Sequence, residues 1–309
     1  MISYHKIAAL TATLTAALSF LASPVMAFSV GATNNTEILK NNLLGNNIAG
    51  LSDFSVLITG NQAAFGTFIN DPFGLQSGVV LSTGKVTDIP GQNRKDNLMT
   101  NGSDLNTDFG VKGESGDLTQ LDLRFFADDT AEKLFFEYVF GSEEFPEFGG
   151  SEYNDDFELL LNGRNLAKLS DGKTVTINNL VPDPNNRSTD HSDYINNPSL
   201  MGIAANIIKL DGFTKVLGFE GLLKQNQTNV LSIRMKDVGD GNFDSAVFIK
   251  GGSVGTIKAD TIPKSVAVLI KDSSVETVEA EPVPEPMTVG GLMAGGAMLA
   301  AGRKLRRRK

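Results

Sequence analysis

Short runs of alternating apolar and polar residues recur from Phe54 onward, separated by Gly, Asn, Asp and Pro. They fall at Phe54–Thr59, Gly78–Ser82, Leu118–Phe126, Lys133–Phe140, Phe157–Leu161, Thr174–Asn178, Phe213–Phe219, Val230–Lys236 and Ala246–Lys250. The clearest has Leu134, Phe136, Tyr138 and Phe140 alternating with Phe135, Glu137 and Val139, the two-residue period of a strand. Many short strands broken by turn residues, with no long helical period between them, predict an all-β protein, a β-sandwich of jelly-roll type. One exception precedes them. Ile38, Leu39, Leu43 and Leu44 make an amphipathic patch that stops at Gly45, which predicts a single short N-terminal helix. No repeat of 20–50 residues is present. Residues 182–198 are polar and rich in turn formers and read as an exposed loop. Thr256–Ile270 reads as one or two edge strands and Lys271–Pro282 as an acidic linker.

The two ends have a different texture. Residues 1–27 carry a weakly basic start (His5, Lys6) and an apolar run from Ile7 to Leu21. Val25 and Ala27 are the small residues that signal peptidase requires, with cleavage after Ala27. A buried N-terminal helix is the alternative. At the other end, Val283-Pro284-Glu285-Pro286 precedes an uncharged stretch, Met287–Gly302, and then the basic run Arg303–Lys309. Sixteen residues of helix span about 24 Å, short for a hydrocarbon core of about 30 Å unless the bilayer thins. The basic run would hold that end in the cytoplasm. The domain boundaries expected are therefore 1–27, 28–255, 256–282 and 283–309.

Composition narrows the chemistry. The chain has 309 residues, no Cys and no Trp, and only His5 and His191 as histidines. Thiolate metal sites and thiol catalysis are excluded, and a zinc site would lack its ligands. The net charge is −9, but setting aside Lys6 and the six basic residues of the tail leaves 20 basic against 36 acidic residues, a net charge of −16. So acidic a body repels nucleic acid, which needs clustered Lys and Arg, and favours cations.

The acids concentrate in two connections. Glu143, Glu144 and Glu147 follow the Lys133–Phe140 strand, and Asn154, Asp155 and Asp156 lead into the next; Asp237, Asp240, Asn242 and Asp244 separate the last two predicted strands. Crowded carboxylates repel unless neutralised, and hard oxygen donors suit calcium as a cofactor. The second stretch is not an EF-hand loop, because Ser245 stands where Gly is needed and Gly251 where Glu is needed. The alternative is that these acids cap turns in solvent. Two acids among Glu143, Glu144, Glu147 and Asp155 would also meet the minimum for a paired-carboxylate glycan hydrolase. A Ser-His-Asp triad would have to use His191, in a polar loop. The turn at Gly110–Gly116 lacks the Gly-Lys-Ser/Thr ending of a phosphate loop. The aromatics Phe135, Phe136, Tyr138, Phe140, Phe145, Phe148 and Phe157 read as core and turn packing, with one or two available for ligand contact.

Five stretches occur in order: Gly78-Val-Val-Leu-Ser-Thr-Gly84, Phe140-Gly-Ser-Glu-Glu-Phe-Pro-Glu-Phe148, Asn154-Asp-Asp-Phe157, Asp211-Gly-Phe-Thr214 and Asp240-Gly-Asn-Phe-Asp-Ser-Ala-Val-Phe248. Together they resemble the choice-of-anchor L domain, over roughly residues 34–252. That is a bacterial surface domain found joined to several kinds of C-terminal anchor. The tail in turn resembles the PEP-CTERM sorting signal in all three parts and their order. That resemblance implies membrane anchoring through Met287–Gly302, recognition by an exosortase near Pro284, Glu285 and Pro286, and transfer to the surface or extracellular matrix. A plain tail anchor is the alternative, and the Gly and Ala of the apolar stretch would suit packing on a partner helix.

The expectation is thus an exported, non-catalytic surface or matrix protein in adhesion or biofilm architecture, processed by signal peptidase and an exosortase, with calcium-stabilised loops. A polysaccharide or a surface protein is the expected partner. A calcium-dependent glycan-binding module is the first alternative and the paired-acid hydrolase the second. Processing is directly testable. The mature protein from its native host should lack Arg303–Lys309 by intact mass, and Pro284→Ala combined with Pro286→Ala should block maturation; a mature chain ending at Lys309 would refute this.

Overall fold

The computed structural model describes residues 27–45, 48–95, 102–110, 118–237 and 242–256, and for Asp156 the backbone alone. The expected signal peptide up to residue 26, all of the 256–282 segment but Thr256, and the whole 283–309 tail lie outside the described residues. Among the described residues, no helix is long and apolar enough to cross a membrane.

Thirteen strands form two antiparallel sheets among the described residues. In chain order they are β1 (Ser29–Ala32), β2 (Leu51–Thr59), β3 (Phe65–Ile69), β4 (Ser77–Ser82), β5 (Leu118–Ala127), β6 (Lys133–Ser142), β7 (Asp156–Leu161), β8 (Arg164–Asn165), β9 (Tyr194–Asn196), β10 (Gly212–Thr214), β11 (Leu217–Leu222), β12 (Gln227–Lys236) and β13 (Ser245–Lys250). One sheet runs β1-β3-β4-β13-β6-β10-β9, with β11 also paired to β6; the other runs β2-β5-β12-β7-β8. Strands β4 to β7 step back and forth between the sheets, as do β12 and β13. The set β4-β13-β6-β11 against β5-β12-β7-β8 is the jelly-roll order that the pattern predicted.

Sequence texture explains which face each strand buries. In the five-stranded sheet, β12 alternates buried and half-buried residues and β2 alternates half-buried and exposed ones, so one face is dry and one wet. In the eight-stranded sheet, β4 and β13 are buried nearly throughout, as their unbroken runs Val79-Val80-Leu81 and Ala246-Val247-Phe248-Ile249 require. The inner core joins both sheets through Phe65, Tyr138, Phe140, Phe157, Leu159 and Ile233. A second core lies on the outer face of the eight-stranded sheet. There Val80, Val139 and Phe248 are covered by Val86, Ile89, Ala204 and Ile208 from the segments that cross it.

The predicted helix is α1 (Thr36–Leu43), capped by the Asn35 side chain on the N–H groups of Glu37 and Ile38, with Leu39 and Leu43 fully buried. The strand expected at Thr174–Asn178 is not formed. Only a bridge from Lys168 to Thr174 is present, and the Thr176 hydroxyl then caps a helical turn, α2 (Ile177–Leu180). The run Phe213–Phe219 is two strands rather than one. Phe213 sits opposite Gly141 and Leu217 opposite Tyr138, so one residue too many faces β6 and the chain bulges between β10 and β11. Residues 182–198 are not a plain exposed loop. They contain a 3₁₀ turn, strand β9 and the buried polar residues Asp193 and Asn197. Strands β1, β3, β8 and β9 were not foreseen; they are short and at or near a sheet edge.

The two faces of the sandwich should respond differently to truncation. Phe248→Ala, on the outer face but with its ring 4.9 Å from Phe73 and 5.4 Å from Phe68, should cost about 3–5 kcal/mol. Leu57→Ser, on the outer face of the other sheet and 65% exposed, should stay within about 0.5 kcal/mol in denaturant melts.

Candidate functional site

Strand pairing brings both acidic connections to one end of the sandwich. Ser142 ends β6 directly opposite Ser245, which starts β13, and Lys236 ends β12 opposite Asp156, which starts β7. Glu143, Glu144, Asp155, Asp237 and Asp244 therefore cluster at that end, and each is at most 3% exposed. These are buried acids, not solvated turn residues, which corrects the bland alternative. A buried carboxylate is stable only where hydrogen bonds replace its water.

Glu143 shows how that is met. Its Oε1 accepts the Asp104 N–H at 2.6 Å, and its Oε2 accepts the Leu105 N–H at 2.8 Å and contacts the Ser103 hydroxyl. Its own N–H donates to the Asp244 carbonyl at 3.2 Å. The Asp244 carboxylate accepts the Thr107 N–H with both oxygens, at 3.1 and 3.3 Å, and the Asp244 N–H donates to the Leu105 carbonyl. The segment around residues 103–107 has no strand partner of its own. Two buried side chains from two neighbouring strand ends pin it to the sandwich. Asp104 extends the tie, since its Oδ2 accepts the N–H groups of Arg94 and Lys95.

The remaining predicted residues have separate positions. Glu144 Oε2 accepts the Asp155 N–H at 3.4 Å, which joins the two halves of the first acidic connection. Glu147 is half-buried, and Asn154 accepts the Asn178 N–H at 3.0 Å, holding α2. Asn242 is half-buried. Asp240 and the Asp156 side chain lie outside the described residues, as do the processing residues Pro284, Glu285 and Pro286; Ala27 is exposed at the start of the described chain. Among the described residues, no group of three or more acidic or histidine side chains is arranged to hold a metal ion.

Three neighbours were not foreseen as part of this end. Gly84 leaves room for the Asp244 carboxylate; any Cβ there would overlap it. Asp211, 1% exposed, accepts from the Asn93 amide at 2.6 Å, and the Asn93 amide also donates to the Asn197 carbonyl at 2.9 Å. Gly84 and Asp211 stand inside quoted motifs, so a signal existed for them; Asn93 carries none. Beside the acids, Phe148 packs on Phe243 at 4.9 Å and on Tyr153 at 5.6 Å, and all three rings are half-buried. His191 lies apart, its imidazole 3.4 Å from Asp171 and 3.6 Å from Asp193, and no serine hydroxyl is bonded to it among the described residues.

Burial pushes the Glu143 carboxyl up to about 8, against the pull of the Ser103, Leu105 and Asp104 hydrogen bonds. In its protonated form the acid donates to Ser103, whose own hydroxyl lies 2.6 Å from the Leu105 carbonyl and can turn to it. The unfolded carboxyl ionises near 4.5, so between about 4.5 and about 8 the folded chain keeps a proton the unfolded chain has lost. Stability should fall as pH rises through that window, by at most about 1.4 kcal/mol per pH unit from this group. Glu143→Gln should lower stability at pH 5 yet flatten the slope; parallel slopes for the two proteins in urea melts from pH 5 to 9 would refute the assignment.

A family model, the choice-of-anchor L domain, matches residues 29–255. No curated protein and no solved structure matches the chain.

Proposed function

The chain belongs to the choice-of-anchor L domain family, which suggests a surface or exported protein, and on that premise we propose a non-catalytic display module of the cell surface or extracellular matrix, acting in adhesion or biofilm architecture. Its layout would be a signal peptide (1–27), the sandwich body (28–255), a short connecting segment (256–282) and a PEP-CTERM tail (283–309). In this reading the tail anchors the protein until an exosortase cuts near Pro284-Glu285-Pro286.

The observation that carries the non-catalytic reading is the use of the acids. Glu143 is fully buried and Asp244 1% exposed, and both spend their carboxylate oxygens on backbone N–H groups of residues 104–107. A glycosidase acid must reach a glycosidic oxygen. Carboxylates turned inward onto the chain favour a scaffold for loops.

Calcium belongs to this proposal with a narrower ligand set than the sequence suggested. Glu143 and Asp244 are occupied by N–H donors, so they do not fit as ligands. Glu144, Glu147, Asp155 and Asp237 offer hard oxygens at the same end, and Asp156, Asp240 and Asn242 are their sequence neighbours. An ion there would neutralise clustered charge and stabilise the loop end. A second reading, calcium-dependent glycan binding, is favoured by the Phe148, Tyr153 and Phe243 rings beside those acids.

Thermal melts of the mature protein at matched ionic strength test calcium. At one hundred times Kd it should add about 2.7 kcal/mol, roughly 5–10 °C in Tm, and magnesium less. Asp155→Ala or Asp240→Ala should remove the shift, whereas Glu143→Ala should lower Tm alike in calcium and in chelator. Equal midpoints in chelator, calcium and magnesium would end the calcium proposal. Incubation with polysaccharides should release no new reducing ends; their appearance would reinstate the hydrolase.

A further inference from the structure

The opposite end of the eight-stranded sheet holds an acid of a different kind. Strand β1 pairs with β3, with Ser29 opposite Ile69. Carried one residue further, that register sets Phe28 beside Asn70, and the Asn70 amide donates to the Ala27 carbonyl at 3.4 Å. The Phe28 ring is 8% exposed and packs in the outer core, 6.3 Å from the Phe248 ring. Backbone pairing and ring burial together fix where residue 28 begins.

Asp71 follows in the turn just after the facing strand. Its Oδ1 accepts the N–H groups of Phe73 and Leu75 at 2.8 and 3.0 Å, which holds the side chain in one orientation. Its Oδ2 is buried and accepts no hydrogen bond from the described residues. Asp71, Asn70, Ala27 and Phe28 line one open cavity of about 670 Å³, walled by Pro72 and Pro90, and Asp71 is the one charged residue among the described residues lining it. A fixed carboxylate oxygen, shut from water and without a donor, calls for a cation.

We propose that the cation is the α-ammonium of Phe28, created when export removes residues 1–27, and that it docks on Asp71 Oδ2 as a structural lock of the mature chain. This rests on the reading that the chain is exported and cut after Ala27. Hydrolysis adds water across the Ala27–Phe28 peptide; the new carboxyl leaves with Ala27 and the amine stays on Phe28, protonated at neutral pH. Loss of the Ala27 carbonyl frees the Asn70 amide, which can turn its oxygen to accept a second ammonium proton. The precursor, with an uncharged peptide at this position, lacks the ion pair. Maturation therefore stabilises the fold as well as freeing it from the membrane.

The test compares three proteins: the exported mature chain, its Asp71→Asn variant, and a chain made without export that keeps Met-Ala27 ahead of Phe28. Intact mass and N-terminal sequencing first establish where the mature chain begins. The mature chain should melt several degrees above the Ala27-retaining one, and Asp71→Asn should erase that gap. Its α-amine should react with an acylating reagent at pH 7 about tenfold more slowly than that of the Asp71→Asn variant, the effect of a one-unit rise in amine pKa. The Ala27-retaining chain leaves Asp71 intact, so the comparison decides even where Asp71→Asn fails to fold. A mature chain that begins at Phe28 but melts with the Ala27-retaining one overturns the lock alone. A chain that begins elsewhere overturns the cleavage site, and the lock with it.

Discussion

A carboxylate taken out of water must find donors, and at the end of this sandwich the donors are the backbone amides of a segment that no strand pairs. Glu143 and Asp244 project from adjacent strand ends and between them receive the N–H groups of Asp104, Leu105 and Thr107. The bond is reciprocal. The acids are tolerated because the segment covers them, and the segment is held because the acids fix its amides. Removing either partner leaves buried polar groups without hydrogen bonds, a larger loss than the net worth of any one bond. Gly84 belongs to the same arrangement, since only a residue without a side chain leaves space for the Asp244 carboxylate.

The two sheets support that end unequally. The five-stranded sheet has one wet face and contributes the exit of β12 and the entry of β7. The eight-stranded sheet is buried on both faces at its centre, where β4, β13 and β6 meet. Glu143 and Asp244 follow the ends of two of these three strands, which are paired on both sides. Side chains placed there are held firmly enough to position a loop, while Glu147, Phe148, Tyr153, Asn242 and Phe243 around them are half-buried.

This arrangement suits a display module. Its framework is the pair of packed sheets, the loops project from one end of it, and its two proposed export signals would act before the mature protein reaches its place. Glu143 and Asp244 at one end and Asp71 at the other hold carboxyl oxygens away from water and meet this in different ways, the first two by amides of the chain itself and the third, as proposed, by a group that exists only after processing.

The alternation of apolar residues was enough to give the all-β class, most of the long strands and α1, because the two-residue and 3.6-residue periods are properties of local backbone geometry; the jelly-roll order expected with them rests on long-range pairing. The ordered motifs gave the family, and the acid-rich connections gave most of the site. Sequence did not say that Thr174–Asn178 would yield to a cap at Thr176, or that Phe213–Phe219 would bulge to serve two stretches of β6. The bulge depends on β6, distant in the chain; the cap is local, the Thr176 hydroxyl taking the Asn179 N–H three residues on. Burial of the acids was equally hidden. Glu143 and Asp244 are 101 positions apart, and only the pairing of β6 with β13 makes them neighbours beneath one loop. Local pattern determined which segments are strands; long-range pairing decided which carboxylates lose their water, and with it what those carboxylates do.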